Sequence, residues 1–318
     1  MQRYLAFRLF YSIIILALLS VLVFFMVRLL PGDPIRAAMQ SNVDLTDKSI
    51  VEDIRAQYGL DKPVTTQYVI WLRDFFRGNW GKSIGSGDQV LDMFLRRLPV
   101  TLELFVGATF WAWIVGFPVG TISALKRNSA LDVFLTSNSI LFVAAPPFWV
   151  AIMLIYAFAV KIPIFPPSGY VPFADDPLGN LQSVFLPSFV MGISVAGYLA
   201  RYVRSTLLEV LSLDFIRTAR AKGLKEKAVV IGHAAKPAMI PIVTIIGLSW
   251  GHMVGGSFII EFMFAVPGLG RMGVDAIFGR DFPVIQAVLI ATAVNVQIMN
   301  LLVDLTYGYL DPRVRVHN

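Results

Sequence analysis

The sequence predicts an all-α integral membrane protein: six spanning helices, a small helical domain in the first outer loop and one short helix in the longest inner loop. Three observations lead there. Apolar residues make up 56% of the chain and charged ones only 15%, at a mean hydropathy of +0.68. The apolar residues come in runs that can cross a bilayer core, for which about 20 residues suffice. Outside the long first loop, which is long enough to translocate whatever its charge, the Lys and Arg residues gather mainly on one side of those runs.

Composition also excludes chemistry. Cysteine is absent, so neither a disulfide nor a thiolate metal site can form. A net charge of +6 could suit nucleic acid, but in a chain of apolar runs it reports orientation, and no nucleic-acid partner is expected.

The first span runs from Leu9 to Val27 without a charge. It is longer than a signal-peptide core and no small-x-small cleavage site follows, so it reads as an uncleaved anchor. Residues 31–97 form the outer domain. Thr46 starts a helix to Tyr58, with Ile50, Val51, Ile54 and Tyr58 on one face and Gly59 as its stop. A second helix opens near Pro63 and ends at Arg77-Gly78, carrying Tyr68, Trp71, Leu72, Phe75 and Phe76. It reads as a lid on the spans, a landing surface for an external partner, or both. Gly81-Lys82-Ser83 imitates the end of a P-loop. Phe76 stands where the first glycine should be and no strand precedes it, so no nucleotide site is expected.

The second span covers Leu98–Leu125, with Glu103 its only charge; the third covers Val133–Val160, where Pro146-Pro147 predicts a kink. Val184–Ala200, Pro237–Ile260 and Phe282–Val303 complete the six, the last continuing to Leu310. Arg3, Arg8, Lys126, Arg127, the eight Lys/Arg of residues 201–236, Arg313 and Arg315 share one side. The short loops opposite offer Lys161, Arg271 and Arg280. Both termini and the Arg201–Pro241 loop are therefore expected in the cytoplasm. Residues 1–30 form the first span with its inner end, 98–310 a five-helix core, and 311–318 a cytoplasmic tail.

In that inner loop, Asp214 is a candidate N-cap and Gly223 a candidate C′ stop. The eight residues between them make about 12 Å of helix. Phe215, Ile216 and Ala219 share one side, with Arg217 and Arg220 elsewhere. So short a helix is not stable alone; neighbours or a partner must hold it.

Candidate catalytic groups are sparse. His233, His252 and His317 are scattered and no HExxH occurs. His252, Glu103, Glu261 and Asp304 lie in or near spans, where polar groups either contact a solute or bond to a neighbouring helix. Gly247, Gly251, Gly255 and Gly256 form a ridge in the fifth span, and Gly116 and Gly120 repeat it in the second. Such ridges permit tight packing or a smooth, pathway-lining face. No ion-binding midplane acid or inverted repeat marks a secondary transporter, and a channel or scaffold would need no helix of the 214–223 type.

The chain resembles the permease subunits of the dipeptide/oligopeptide/nickel branch of binding-protein-dependent ABC importers. The resemblance rests on Leu30-Pro31-Gly32-Asp33-Pro34, Tyr58-Gly59-Leu60-Asp61-Lys62-Pro63, and Gln67-Tyr68. It continues through Phe215–Leu224, His233-Ala234, and Ala238 with Pro241. Pro267-Gly268-Leu269-Gly270, Arg280–Gln286, Val303-Asp304 and Asp311-Pro312-Arg313 complete it. Asp33 and the first loop resemble the first of the two permeases in such systems. The resemblance implies the type I ABC importer permease fold in a bacterial or archaeal cytoplasmic membrane, and a non-enzymatic role. It makes Asp214, Phe215, Ile216, Arg217, Thr218, Ala219, Arg220, Ala221, Lys222, Gly223 and Leu224 the coupling helix, docking on an ATPase. Phe215, Ile216 and Ala219 would then fill an apolar groove, with Arg217 and Arg220 at its rim. The family's Glu-Ala-Ala becomes Arg217-Thr218-Ala219, so no acidic contact is expected there. Implied partners are a second, non-identical permease, two cytoplasmic ATPases holding ATP and Mg, and an external solute-binding protein. No cofactor is implied on this chain. Relatives of this kind carry peptides, nickel chelates, glutathione or glycosides. Gly247, Gly251, His252, Gly255 and Glu261 are the pathway or packing candidates.

Overall fold

A computed structural model describes residues 2–29 and 61–310, with backbone alone at residues 2–6, 28, 29, 240, 252, 254–256 and 307–310. The expected Thr46–Tyr58 helix, the Leu30–Pro34 run, Tyr58-Gly59-Leu60, Asp311-Pro312-Arg313, Arg315 and His317 lie outside the described residues. The rest divides into two compact units: Met1–Arg8, Leu102–Val266 and Val296–Asn318 in one, Leu9–Thr101 and Pro267–Asn295 in the other.

The larger unit is built around a helix that the apolar pattern underestimates. The fourth span expected at Val184–Ala200 is part of α7, Pro177–Leu211 (α1–α6 precede it, as given below), which Asp176 opens by accepting a hydrogen bond from Leu178 N–H. Its C-terminal end carries Arg201, Tyr202, Arg204 and Glu209, so helix outlasts hydropathy and the loop begins only at Ser212. The second span starts earlier than Leu98 for the same reason, as α3 (Val90–Trp111), and continues through a π turn at Ala112–Gly116 into α4 (Phe117–Leu125).

These helices meet backbone to backbone. A Cβ on Gly116 would lie 2.7 Å from the Ala196 carbonyl oxygen, one on Gly120 2.4 Å from that of Ala200, and one on Gly192 2.5 Å from that of Ala108. Gly197 does the same against Ser139 of α5 (Ala130–Ala144), at 2.6 Å. Small residues are what let helices approach so closely in a bilayer. The Gly116/Gly120 ridge is therefore a packing face.

The Pro146-Pro147 pair does more than kink the third span. Ala145 and Pro146 are both extended, at ψ 124° and 130°, because a residue before proline is pushed out of the helical region. α5 and α6 (Pro147–Ile155, followed by a π segment to Lys161) consequently meet at 100°. After α7 come α8 (Asp214–Ala221), α9 (Glu226–Val229, with a π segment to Ala234) and α10 (Ala235–Met263). The segments Glu226–Met239 and Pro241–Gly251 meet at 46°, at the proline.

In the second unit α1 (Gln2–Leu29) packs through its C-terminal half on α2 (Val64–Phe76). Ser20 Oγ and Tyr68 OH are 2.9 Å apart, and Phe24, fully buried, sits edge-on to Tyr68 and against Trp71. Phe75 stacks on Trp80 at 4.7 Å, and Trp80 meets Phe94. This aromatic series fixes α2 on α1 and on the start of α3. Gly78 ends α2 at φ +82°.

The Gly81-Lys82-Ser83 segment is structural. Ser83 Oγ donates to Asp281 Oδ2, and Gly85 N–H approaches the same oxygen at 3.3 Å. Asp281 also opens the last helix, α12 (Phe282–Leu310), accepting from Ile285 N–H through its carbonyl. Between the fifth and sixth spans lies a helix the sequence reading treated as loop: α11, Leu269–Gly279, whose first N–H donates to Thr101 Oγ1 at 2.8 Å. Gly270, Gly273 and Gly279 masked its helical period.

Candidate functional site

α8 opens one residue earlier than expected. Leu213, extended at ψ 152°, is the N-cap and supplies no side-chain hydrogen bond; Asp214 is the first helical residue. A carboxylate in the first turn still opposes the helix dipole, and Asp214 spends its charge on Arg217 at 3.2 Å. The C-terminal stop is as the sequence dictates. Gly223 adopts φ +79° and its N–H donates to the Arg220 carbonyl at 2.9 Å.

Ile216 and Ala219 do not face outward. They are 0% and 5% exposed, packed with Leu207 and Val210 of α7, Val229 of α9, and Ala238 and Ile242 of α10. This overturns their assignment to a partner's groove: a short helix needs its apolar stripe to stay on its own chain. Burying one isoleucine side chain stabilises by about 2 kcal/mol. What α8 presents is Phe215 (44% exposed), flanked by Leu213 and Leu224 beyond its ends, with Arg217, Thr218, Ala221 and Lys222 exposed around it.

Arg220 is likewise engaged within the chain. Its Nη2 lies 2.6 Å from Glu226 Oε1 and its Nε 3.1 Å from Oε2, a two-point clamp from α8 to α9. Both side chains are about half exposed, so the clamp orients more than it stabilises.

Beneath this seat lies a polar lock that sequence reading missed. Asp132, 3% exposed at the start of α5, receives Arg204 Nε and Nη2 of α7, each at 2.8 Å. Ser123 of α4 and Thr136 also donate to Oδ1, and Asn128 N–H donates to Oδ2 at 3.0 Å. Ala124, beside Ser123, belongs to the same core as Ile216 and Ala219. The available signal was Ser129-x-x-Asp132: Ser129 caps α5 by accepting from Asp132 N–H.

The pathway candidates do not gather into one site. A Cβ on Gly247 would lie 1.8 Å from Val303 Cγ2 and one on Gly251 3.7 Å from Val296, so both glycines face α12, Gly247 in tight packing and Gly251 with room for a methyl group. Glu261 is fully buried, with its carbonyl accepting from Val266 N–H. At His252, Gly255 and Gly256 the backbone alone is described. Glu103 accepts from Tyr170 OH at 2.6 Å; burial, with Glu103 beside it, pushes the Tyr170 phenol above its ordinary pKa. Asp304 pairs with Arg8 at 3.1 Å. Among the described residues no cluster of His, Asp and Glu is placed to hold a metal.

Comparison with known proteins joins these features. Residues 116–316 match the binding-protein-dependent transport system inner membrane component model, and residues 1–105 the N-terminal model of such membrane components. A Brucella abortus protein named as a peptide transport system permease is 40% identical over 96% of both chains. The oligopeptide transport system permease AppB of Bacillus subtilis is 36% identical over 99% of both. The membrane subunit in two structures of the MetNI methionine ABC transporter superposes with TM-scores of 0.57 and 0.59, at 19% identity, over 69% of this chain and 96% of that one. That likeness establishes the type I ABC importer permease fold. Such permeases are multi-pass inner-membrane proteins that perform no catalysis and work with ATPase and binding-protein subunits. The chain belongs to the binding-protein-dependent transport system inner membrane component family, as a permease subunit of an ATP-driven importer.

Proposed function

We propose that this permease imports peptides. It encloses half of the path, a second and non-identical permease encloses the other half, and two ATPases, which hold the ATP and Mg, close beneath them. A soluble binding protein delivers the solute on the outer side, where residues 31–97 stand. Both termini and α8 lie in the cytoplasm, as the distribution of Lys and Arg supports. The peptide substrate is supported by relatives at 36–40% identity over nearly the whole chain, named for peptide or oligopeptide transport.

One observation carries the mechanical part. α8 is fixed to α7, α9 and α10 through Ile216 and Ala219, and it offers Phe215 and Arg217 outward. A docked ATPase would thus push on a rigid seat, and the push would reach three spans through the Asp132–Arg204 lock as a rigid-body shift. The chain contributes leverage and a path; covalent chemistry belongs to the ATPases.

The test is uptake into proteoliposomes containing the full assembly, with ATP at the ATPase side and the binding protein opposite. Labelled dipeptide should accumulate only with both present. Accumulation of a nickel chelate or a glycoside in place of dipeptide would overturn the substrate, and uptake without the ATPases would overturn the mechanism.

A further inference from the structure

The connection from α6 to α7 is a strap across the larger unit. It covers residues 162–176 and contains prolines at 163, 166, 167 and 172, each of which fixes its own φ. A connection of this length without helix or strand is uncommon in a compact fold and usually has a task. Ile164 and Phe165 N–H both donate to the Phe158 carbonyl of the π segment, at 3.0 and 3.1 Å. Phe165 stacks on Phe185 of α7 with ring centroids 4.4 Å apart. Gly169, at φ +105°, turns the strap so that its N–H donates at 2.8 Å to the carbonyl of Phe264, which ends α10. Tyr170 OH donates to Glu103 Oε2 of α3 at 2.6 Å. Val171 N–H donates to Ser183 Oγ at 3.3 Å, and the Val171 carbonyl accepts from Asn180 Nδ2 at 2.8 Å, both partners on α7.

Residues 164–171 thus reach α3, α7 and α10 as well as their own π segment. The bond to α3 differs in kind, because it ends on a half-buried carboxylate. Among the described residues no Lys, Arg or His lies within ion-pair distance of Glu103. A carboxylate on a membrane span without a cation is costly, and Tyr170 OH is the donor that offsets this. Gly107, four residues on and so on the same face of α3, meets Ser188 of α7. Glu103 therefore stands on the side of α3 that α7 closes.

The strap and the Asp132–Arg204 lock sit at opposite ends of these helices. Asn180 and Arg204 are separated by about 36 Å along α7. Between the two ends lie weak points: the π turn at Ala112–Gly116, where α3 passes into α4, and the 46° bend of α10 at Pro241. Helices held at the lock alone would bend or splay there when α8 is pushed. We propose that the 162–176 strap is a brace that keeps the far ends of α3, α7 and α10 together throughout the transport cycle, with Tyr170–Glu103 as its latch. A shift imposed through α8 then reaches those ends undivided, and the opening for the solute forms at surfaces outside this group of helices. The brace does not depend on which solute is carried. Direct contact of the Glu103 carboxylate with a cationic solute is the competing arrangement. The latch is favoured because Tyr170 already engages that carboxylate on a closed helix face.

The chain contains no cysteine, so introduced pairs take spin labels without background in the full assembly with cysteine-free partner chains. Leu102 on α3, Leu181 on α7 and Phe262 on α10 are exposed near the strap. The pairs L102C/L181C and L102C/F262C should each give one distance distribution by electron paramagnetic resonance. It should be the same without nucleotide and when trapped with ATP and vanadate. A nucleotide-dependent shift in either pair would overturn the brace. Tyr170→Phe removes a hydrogen bond to a charged group, so it should favour the unlatched state by about tenfold and add a second, broader population. An unchanged narrow distribution in that variant would overturn the latch. Glu103→Gln keeps an acceptor for Tyr170 OH and should retain both the distribution and the KM for uptake. A raised KM in Glu103→Gln with normal uptake in Tyr170→Phe would instead assign the carboxylate to the solute. The spin-label readout needs no solute, so failure to carry dipeptide would count against the substrate alone and leave the distances to decide the brace.

Discussion

Arg204 grips Asp132 through two parallel N–H···O bonds of 2.8 Å, joining residues 72 positions apart on α7 and α5. Ser123 brings α4 to the same carboxylate. Three helices thereby share one ionic node beside the core that holds α8. Removing one partner of a buried pair leaves an uncompensated charge, at about 3–5 kcal/mol. Arg204 retains 28% side-chain exposure, so Asp132→Ala should fall near the low end, about 3 kcal/mol. Thermal unfolding of the purified assembly checks this. Arg204→Lys, which keeps the charge and loses the fork, should destabilise less and still reduce the uptake obtained per ATP hydrolysed.

The opposite roles of adjacent residues in α8 separate seat from contact. Ile216→Ala should destabilise the permease by about 2–4 kcal/mol, because it opens a cavity in a closed core. Phe215→Ala should leave its unfolding temperature within a degree or two, since the side chain is half exposed. The same variant should weaken capture of the ATPase pair in a pull-down. Full ATPase capture by Phe215→Ala would remove Phe215 from the interface.

Gly223→Val should strain the end of α8 by about 1–2 kcal/mol, since valine resists positive φ. No atom lies within 4 Å of the added Cβ, so the effect is conformational. Insertion into the membrane should be normal, while ATP hydrolysis and uptake become uncoupled. Normal ligand-stimulated hydrolysis together with normal uptake in vesicles would argue against α8 as the coupling element.

Gly247 and Gly251 should differ sharply although they belong to one ridge. Gly247→Ala drives a methyl into Val303, whereas Gly251→Ala gains ordinary contact with Val296. The first should lower the yield of folded permease and the second should not. Val303→Ala should restore Gly247→Ala if the clash is the cause. Size-exclusion profiles of the four proteins decide it.

Lys82→Ala should leave ATP hydrolysis by the assembly unchanged, because the P-loop-like triplet is occupied otherwise. Asp281→Ala should instead loosen the 83–85 segment, which loses its acceptor for Ser83 and Gly85. Proteolysis of intact vesicles from the outer side reads the difference.

How much was legible follows from the range of the forces. A run such as Phe282–Val303 announces a span because hydrocarbon requires apolar side chains whatever the neighbours are. Gly223 announces a helix stop because left-handed backbone is a property of one residue. Asp214 was legible as a helix-start residue but not as lying inside the first turn, since a cap is settled by one dihedral angle.

The sequence by itself determined the membrane class, the lengths of apolar run available and the place of α8, all consequences of local composition and backbone preference. Tertiary structure alone decided which face α8 keeps, that the third span breaks by 100° at Pro146, and that Asp132 and Arg204 meet. Each depends on contacts between distant segments, and those become favourable only once loop closure and packing have brought the helices together.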